Sequence, residues 1–375
     1  MPPSSPADWI AAASLPGLGP RALRDALRRF GSPAHVAHNA PIVELDSLVR
    51  GSLDAAAVDE ARRGLRRRAA RLWKQCERGG IRQLLEHDED YPAALREIHD
   101  PPLVLYMRGE LPPGRLRIAV VGSRQPTLYG SRMGTGLGQG LAARGVEVVS
   151  GGARGIDTCA HRGALAADGR TVAVLGSGML CPYPAENRRL FDEIAERGAV
   201  LSELAPDAPP LASHFPQRNR LISGLAAAVV VVEAARKSGS LGTAGLALEQ
   251  GREVMAVPGP VTSTRSEGTN MLIQQGAKLV QNVEDILVEL PPLFVAGVPG
   301  HLDEAPGFDE ADLTEDEGVV LRMIDPVQPV HVDSLAEQVP FGIARLQSAL
   351  FGLETRGAVD PLPGRYYLLR PRKEP

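Results

Sequence analysis

The sequence predicts an α/β fold: a parallel sheet covered by helices on both faces, with a small all-helical domain before it and a domain of three helices and a hairpin after it. Three observations carry this. Short unbroken apolar runs recur at 118–121, 146–149, 172–175, 200–201, 229–232, 254–257 and 279–280, as strands buried on both faces of a parallel sheet do. Helical stretches separate them, the alternation of a Rossmann-like array. Glycine-rich loops, Gly122-Ser123-Arg124 and the 150–155 segment SGGARG with Gly151, Gly152 and Arg154, follow the first two runs. Loops at the carboxyl ends of parallel strands gather on one rim, where glycines admit a ligand and helix N-termini offer N–H groups to an anion. A phosphate site built on Arg124 and Arg154 is the leading expectation.

The bulk numbers bound the class. The chain has 375 residues, 43% of them hydrophobic and 23% charged, enough for two or three globular domains. Its longest apolar run, 225–232, falls far short of the roughly 20 residues a membrane helix needs. The N-terminus has no basic stretch ahead of its apolar one, so a cytoplasmic protein is expected. Three scattered cysteines without a C-x-x-C pair argue against disulfides and a zinc site, and no metal or cofactor is expected. The net charge of −4 conceals a gradient: residues 1–82 hold 14 Lys+Arg against 8 Asp+Glu, residues 83–282 hold 20 of each, and residues 283–375 hold 7 against 17. A basic head, a neutral middle and an acidic tail leave nucleic-acid binding open.

In chain order, residues 1–80 read as the helical domain. Its L-P-G-L-G-P turn at 15–20 is of helix-hairpin-helix (SAM-like) type, a DNA-phosphate contact or simply a link in a small bundle. A single long helix is predicted over 54–78, with Leu65, Leu72 and Cys76 on its apolar face. Its run of Arg62, Arg63, Arg66, Arg67, Arg68, Arg71 and Lys74 reads as a solvated face or as an auxiliary surface for phosphates. Residues 81–290 are the sheet domain, entered by a proline-ended turn and a strand at 103–106. Residues 291–312, rich in Pro, Gly and acids, are a linker. Residues 313–375 give helices at 314–324, 332–339 and 343–355, then strands around Pro363-Gly364, a winged-helix order. Its third helix offers only Arg345 and Arg356 in an acidic setting, which favours protein contact or regulation over groove reading.

Several motifs are set aside. A G-x-G-x-x-A match beginning at Gly138 lies inside a helix, so it reads as small residues that let the helix lie close on the sheet. No P-loop and no G-x-S-x-G elbow occurs. Asp157 and His161 share a helix face without a third ligand and read as structural hydrogen bonding.

The stretch 214–225, HFPQRNRLISGL, is richer. An aromatic beside two arginines and an asparagine suits a single strand: bases stack on Phe215, phosphates follow Arg218 and Arg220, and Asn219 reads an edge. The competing reading puts Phe215 in the core and pairs the arginines with Glu203 or Glu233.

The segments VGSRQPTLYG, SGGARGIDTCAH, YPAENRRL, HFPQRNRLISGL, VVVEAARKSGSLGTA and EVMAVPG, in this order, resemble the DprA/Smf (DNA-processing protein A) family over roughly 91–281. The resemblance implies a non-enzymatic protein of natural transformation that binds and protects incoming single-stranded DNA and loads the RecA recombinase onto it. Carried over by motif, it implies DNA contacts at Gly122, Ser123, Arg124, Phe215, Arg218, Asn219 and Arg220, and a homodimer through Ile273 and Leu279. Some relatives place lysines at the positions of Ala185 and Ala212 here; Arg188 and Arg189, one turn beyond Ala185, are in place to substitute for the first. A second resemblance, of the 238–243 loop SGSLGT to that of nucleoside-monophosphate phosphoribohydrolases, lacks that motif's glutamate, since Leu246 stands there.

Overall fold

The computed structural model describes residues 5–49, 52–290, 313–324, 330–356, 358–362 and 366–369, and the chain divides into two compact units, 1–298 and 299–375. The expected linker, 291–312, and the Pro363-Gly364 turn lie outside the described residues.

The first unit begins with six helices: α1 (Pro6–Ala13), α2 (Pro20–Phe30), α3 (Pro33–His38), α4 (Ile42–Asp46), α5 (Ala55–Arg62) and α6 (Leu65–Arg78). The long helix expected over 54–78 is in fact α5 and α6, because Gly64 takes a left-handed conformation (φ 81°) that breaks the chain between them. Leu65, Leu72 and Cys76 are buried as expected, and Ala69 joins them. The 15–20 turn joins α1 to α2 with Gly17 at φ 77°, and Leu15 and Leu18 are buried. The turn borders a groove shared with Pro102, Glu203 and His214. Arg24 bonds Glu86 (2.7 Å) and Arg21 pairs with Asp100 (3.2 Å), so α2 directs these cations at its own unit.

Nine strands follow, joined by helices: β1 (Ile81–Leu85), α7 (Ala93–Arg96), β2 (Val104–Gly109), β3 (Arg117–Val121), α8 (Leu128–Ala143), β4 (Glu147–Ser150), α9 (Ile156–Ala166), β5 (Thr171–Val174), α10 (Arg188–Arg197), β6 (Ala199–Ser202), α11 (His214–Leu225), β7 (Ala228–Val231), α12 (Gly239–Glu249), β8 (Glu253–Ala256), α13 (Glu267–Gln274), β9 (Lys278–Leu279) and α14 (Val283–Val288). They form one sheet in the order β1-β2-β6-β5-β4-β3-β7-β8-β9. The strands from β6 to β9 are parallel; β2 joins β6 antiparallel, and β1 joins β2 antiparallel. That antiparallel edge ties the sheet to the helical head, whose core residues, among them Ile10, Leu23 and Leu72, run on into Ile81, Val104 and Tyr106. Helices α1–α6 and the sheet thus share one unit.

Strand parity sorts the two faces. Ile118, Val120, Val148 and Val230 pack under α8, α9 and α14, while Ala119, Val121, Val149 and Val229 pack under α11, α12 and α13. Gly138 and Gly140, expected to let α8 lie close on the sheet, instead admit neighbouring helices: a Cβ on Gly138 would lie 2.3 Å from Ala160 O of α9, and one on Gly140 would lie 2.7 Å from Val283 Cγ2 of α14. No helix among the described residues is long and apolar enough to cross a membrane.

The second unit holds helices Glu315–Met323, Val332–Gln338 and Ile343–Thr355, with strands Val330–His331, Val359–Leu362 and Tyr366–Leu369 in one antiparallel sheet. Thr314 and Glu317 form a capping box at the first helix. This is the expected winged-helix order, with the added strand Val330–His331.

Candidate nucleic-acid interface

The strand order reverses direction at β3. From there the chain crosses through α8 to β4 on one side, whereas β7 and β8 lie on the other with α12 on the opposite face. At such a switch point the loops leaving adjacent strands part, and a crevice opens beyond their carboxyl ends. Here the crevice is a cleft of about 790 Å³ lined by Gly122, Ser123, Arg124, Asp157, Tyr183, Phe215, Arg218, Asn219, Lys237 and Ser238.

Its front wall is built by interlocking the two glycine loops. Ser123 O accepts the Ile156 N–H (3.0 Å), and Gly155, at φ 77°, lies so close that a Cβ there would sit 2.3 Å from Ser123 O. Thr127 caps α8; its N–H and Oγ1 both donate to Glu233 (2.9 and 2.5 Å), which is buried. Glu233 is therefore a helix-positioning acid and does not pair with the 214–225 arginines. Held between these bonds, Arg124 remains exposed, and its guanidinium carbon stands 5.2 Å from the centre of the Phe215 ring, a cation–π contact.

Phe215 sits in the first turn of α11, half-buried. A Cβ on Gly176 would lie 2.7 Å from its Cδ1, and Tyr183 meets it edge-on with ring centres 5.8 Å apart. The ring is thus held against Gly176 and Tyr183 while Phe215 lines the cleft.

The floor is Arg218, 4% exposed, whose Nη1 donates to the carbonyls of Gly151 (2.6 Å) and Val174. Burial pulls its guanidinium down to about 10, against the opposing pull of Asp157. Burial likewise raises the Asp157 carboxyl, although Arg218 and the Ala153 N–H favour its charged form. Gly151 and Gly152 were expected to let a ligand approach. They instead make room for the protein itself: a Cβ on Gly151 would lie 2.6 Å from Arg218 Nη2, and one on Gly152, at φ 64°, would lie 2.6 Å from Phe191 Cε1.

Other expected contacts lie elsewhere. Arg220 is clamped by Glu203 (2.6 and 2.7 Å) and donates to Asp100 O, away from the cleft lining. That is the ion-paired alternative, realised for this arginine alone. Arg154 is at the rim, bonded to Glu186 and 5.6 Å from the Tyr183 ring centre. Arg188 and Arg189 are exposed at the start of α10 outside the lining, Arg189 pairing with Glu193 (3.3 Å). Ile273 and Leu279 lie at the β9 edge, Ile273 half-buried and Leu279 39% exposed. His161 is buried with Nδ1 2.7 Å from Thr171 Oγ1, and no cluster of three metal-ligating side chains occurs among the described residues.

Sequence reasoning missed Lys237 and the N-terminus of α12, where Ser238 accepts the Ser240 N–H (3.3 Å). Lys237 is exposed in the cleft lining, on the loop that leaves β7 next to β3, and the signal was the segment AARKSGSLGTA after the β7 run. Helix N-termini concentrate unpaired N–H groups and positive potential, so this wall adds positive potential to the cleft.

Fold and cleft together define the class: an open, mostly parallel α/β sheet whose switch-point crevice combines exposed cations with an aromatic ring. The chain belongs to the DNA recombination-mediator protein A family, whose model matches residues 82–291; a model described as the DprA winged helix domain matches 304–365. Protein Smf of Escherichia coli is 43% identical over 286 residues, 75% of this chain and 76% of its own length. The putative DNA processing protein DprA of Mycobacterium tuberculosis is 37% identical over 355 residues, 88% of each. Among solved structures, DprA of Streptococcus pneumoniae superimposes with a TM-score of 0.65 at 34% identity, covering 78% of this chain and 99% of that one. DNA processing protein A of Helicobacter pylori, described for its single-stranded DNA binding mode, gives 0.51 at 32% identity, covering 56% and 97%.

Proposed function

We propose that this protein binds single-stranded DNA in the switch-point cleft, shields it during natural transformation and loads the RecA recombinase onto it, without chemically altering the strand. The observation that carries the reading is Arg124 lying over the half-buried Phe215 at the cleft mouth. On strand entry the guanidinium moves from the ring to a phosphate and a base takes its place on the ring, one stacking contact exchanged for another while the charge gains a partner. Gly122, Ser123 and Lys237 hold neighbouring phosphates, and Asn219, whose Nδ2 reaches Gly239 O at 3.4 Å, faces base edges. Arg218 holds the floor, and Arg154, Arg188 and Arg189 supply outlying positive charge. The S. pneumoniae and H. pylori relatives support the assignment through their names, and the latter through its single-strand title.

The test is a binding titration of single- and double-stranded DNA at two salt concentrations. Single strands are expected to bind more tightly, since paired bases cannot reach Phe215; a preference for duplex overturns the reading. RecA loading predicts that the protein shortens the lag of RecA filament growth on coated single strands. A homodimer through Ile273 and Leu279 predicts that glutamate at both positions yields monomers by light scattering at micromolar concentration. The phosphoribohydrolase reading has its loop at the cleft, yet Leu246 occupies the glutamate position. Incubation with AMP or ATP is expected to release neither base nor phosphate.

A further inference from the structure

The basic run over the end of α5 and α6 is not absorbed by the cleft. Apart from Arg66, exposed about 100° around α6 from Arg67, its cations fall into two sets. Arg62 donates to the carbonyls of Val36, Ala37 and Ala40, Arg63 pairs with Glu60, and Arg68 pairs with Asp207 (2.6 Å). Arg67, Arg71, Lys74 and Arg78 are exposed and have no ion-pair or hydrogen-bond partner among the described residues. At 100° per residue these four lie within about 60° of one another around the helix, directly opposite the buried Leu65, Ala69, Leu72 and Cys76. They form a straight row of four positive charges, about 16 Å long at 1.5 Å per residue, and no acid interrupts it, Glu77 lying on the flank.

The row is tied to the cleft. Arg68, on the neighbouring side of α6, holds Asp207, and the chain that leaves Asp207 supplies Pro210 and Ala212 to the cleft wall before entering α11 at His214. Met179 and Leu180, just before the wall residue Tyr183, pack into the helical head. Both segments of that wall are therefore anchored on the head. Like charges so close repel one another, and the repulsion is relieved when a polyanion lies along them.

We propose that the Arg67–Arg71–Lys74–Arg78 face of α6 is a second phosphate-binding surface, which carries the same single strand onward after it leaves the cleft; this rests on the cleft reading. It acts on charge alone, with no aromatic platform in the row, so it holds backbone without regard to base.

The test compares the full-length parent with a variant carrying R67A, R71A, K74A and R78A, all exposed positions, on oligothymidylates of about 6 and about 30 nucleotides, the first short enough for one binding groove. The expected result is unchanged affinity for the short strand. For the long strand, the salt slope of log affinity falls by up to about 2.8, or 0.7 for each of four phosphates, with an affinity loss of at least about tenfold at moderate salt. A long-strand slope equal to the parent's overturns the proposal, as does an equal loss on both strands, which would mark a diffuse field rather than a track. A parent that binds neither strand overturns the cleft reading and this one with it; a parent that binds both, with an unaltered variant, overturns the track alone.

Discussion

The cleft and the third helix of the C-terminal domain both carry arginines; the cleft is expected to hold a single strand, whereas the helix, although in the reading position of a winged helix, is expected to favour protein contact, and the structure gives their cations different partners. At the cleft Arg124 and Lys237 are exposed with no acid bonded to them among the described residues. On helix Ile343–Thr355, Arg345 bonds both Asp316 oxygens (2.5 and 2.7 Å), and the Arg356 that follows it pairs with Glu317 (3.5 Å). That helix also exposes two large apolar side chains, Ile343 (55%) and Phe351 (71%). The lesson is that a cation's existing partner, more than its presence, decides whether it can serve a phosphate. A charge already in a hydrogen-bonded pair must give up that pair before it gains another.

The largest expected effect tests the floor of the cleft. Arg218→Ala removes a buried donor from two carbonyls and leaves Asp157 without its neighbouring charge, so it should destabilise the first unit by about 3 kcal/mol or more. At 2–4 °C per kcal/mol, thermal unfolding should fall by roughly 6–12 °C. Arg345→Ala, on an exposed pair of small net worth, should move its smaller unit's melting by only about 1–4 °C. Equal shifts in the two variants would collapse the contrast.

Beside that floor, His161 provides a pH test. Burial pushes its imidazole down to about 3 from 6.5. The unfolded chain thus takes up a proton below pH 6.5 while the folded one does not, and the stability this site contributes is full above pH 6.5 and declines as pH falls toward 3. From pH 6.5 to 5 the decline approaches about 1.4 kcal/mol per unit. Denaturant titrations across that window should show it, and His161→Asn should flatten it.

Phe215→Ala should weaken single-strand binding by about 1–3 kcal/mol through lost stacking, with the salt slope unchanged. Arg124→Ala should flatten that slope by about 0.7 for every base sequence. If the two variants act on the same parameter, the division between ring and charge is wrong. The smallest effect belongs to the tail: truncation after Val288 should leave single-strand affinity within about twofold, because the removed residues carry an excess of acid. A loss of binding on truncation would return the third helix to the interface.

The sequence by itself determined the alternation of strands and helices, the two glycine loops, the Phe215 stretch and the winged-helix order. These follow from interactions over a few residues: apolar runs that must be buried on both faces, caps such as Thr314, and turns. It also misjudged where local rules compete, as at Gly64, where one left-handed residue divides a continuous basic helix. Tertiary structure alone decided which arginines remain available. Arg220 and Glu203 are 17 residues apart, Arg154 and Glu186 are 32 apart, and Arg218 reaches Gly151 across 67. Nothing in local periodicity records such pairs, because they form only when the sheet order brings distant loops to one rim. The same assembly turned Gly151 from an expected ligand-facing glycine into space for Arg218, and set Lys237 beside Arg124's loop at the point where β3 and β7 part.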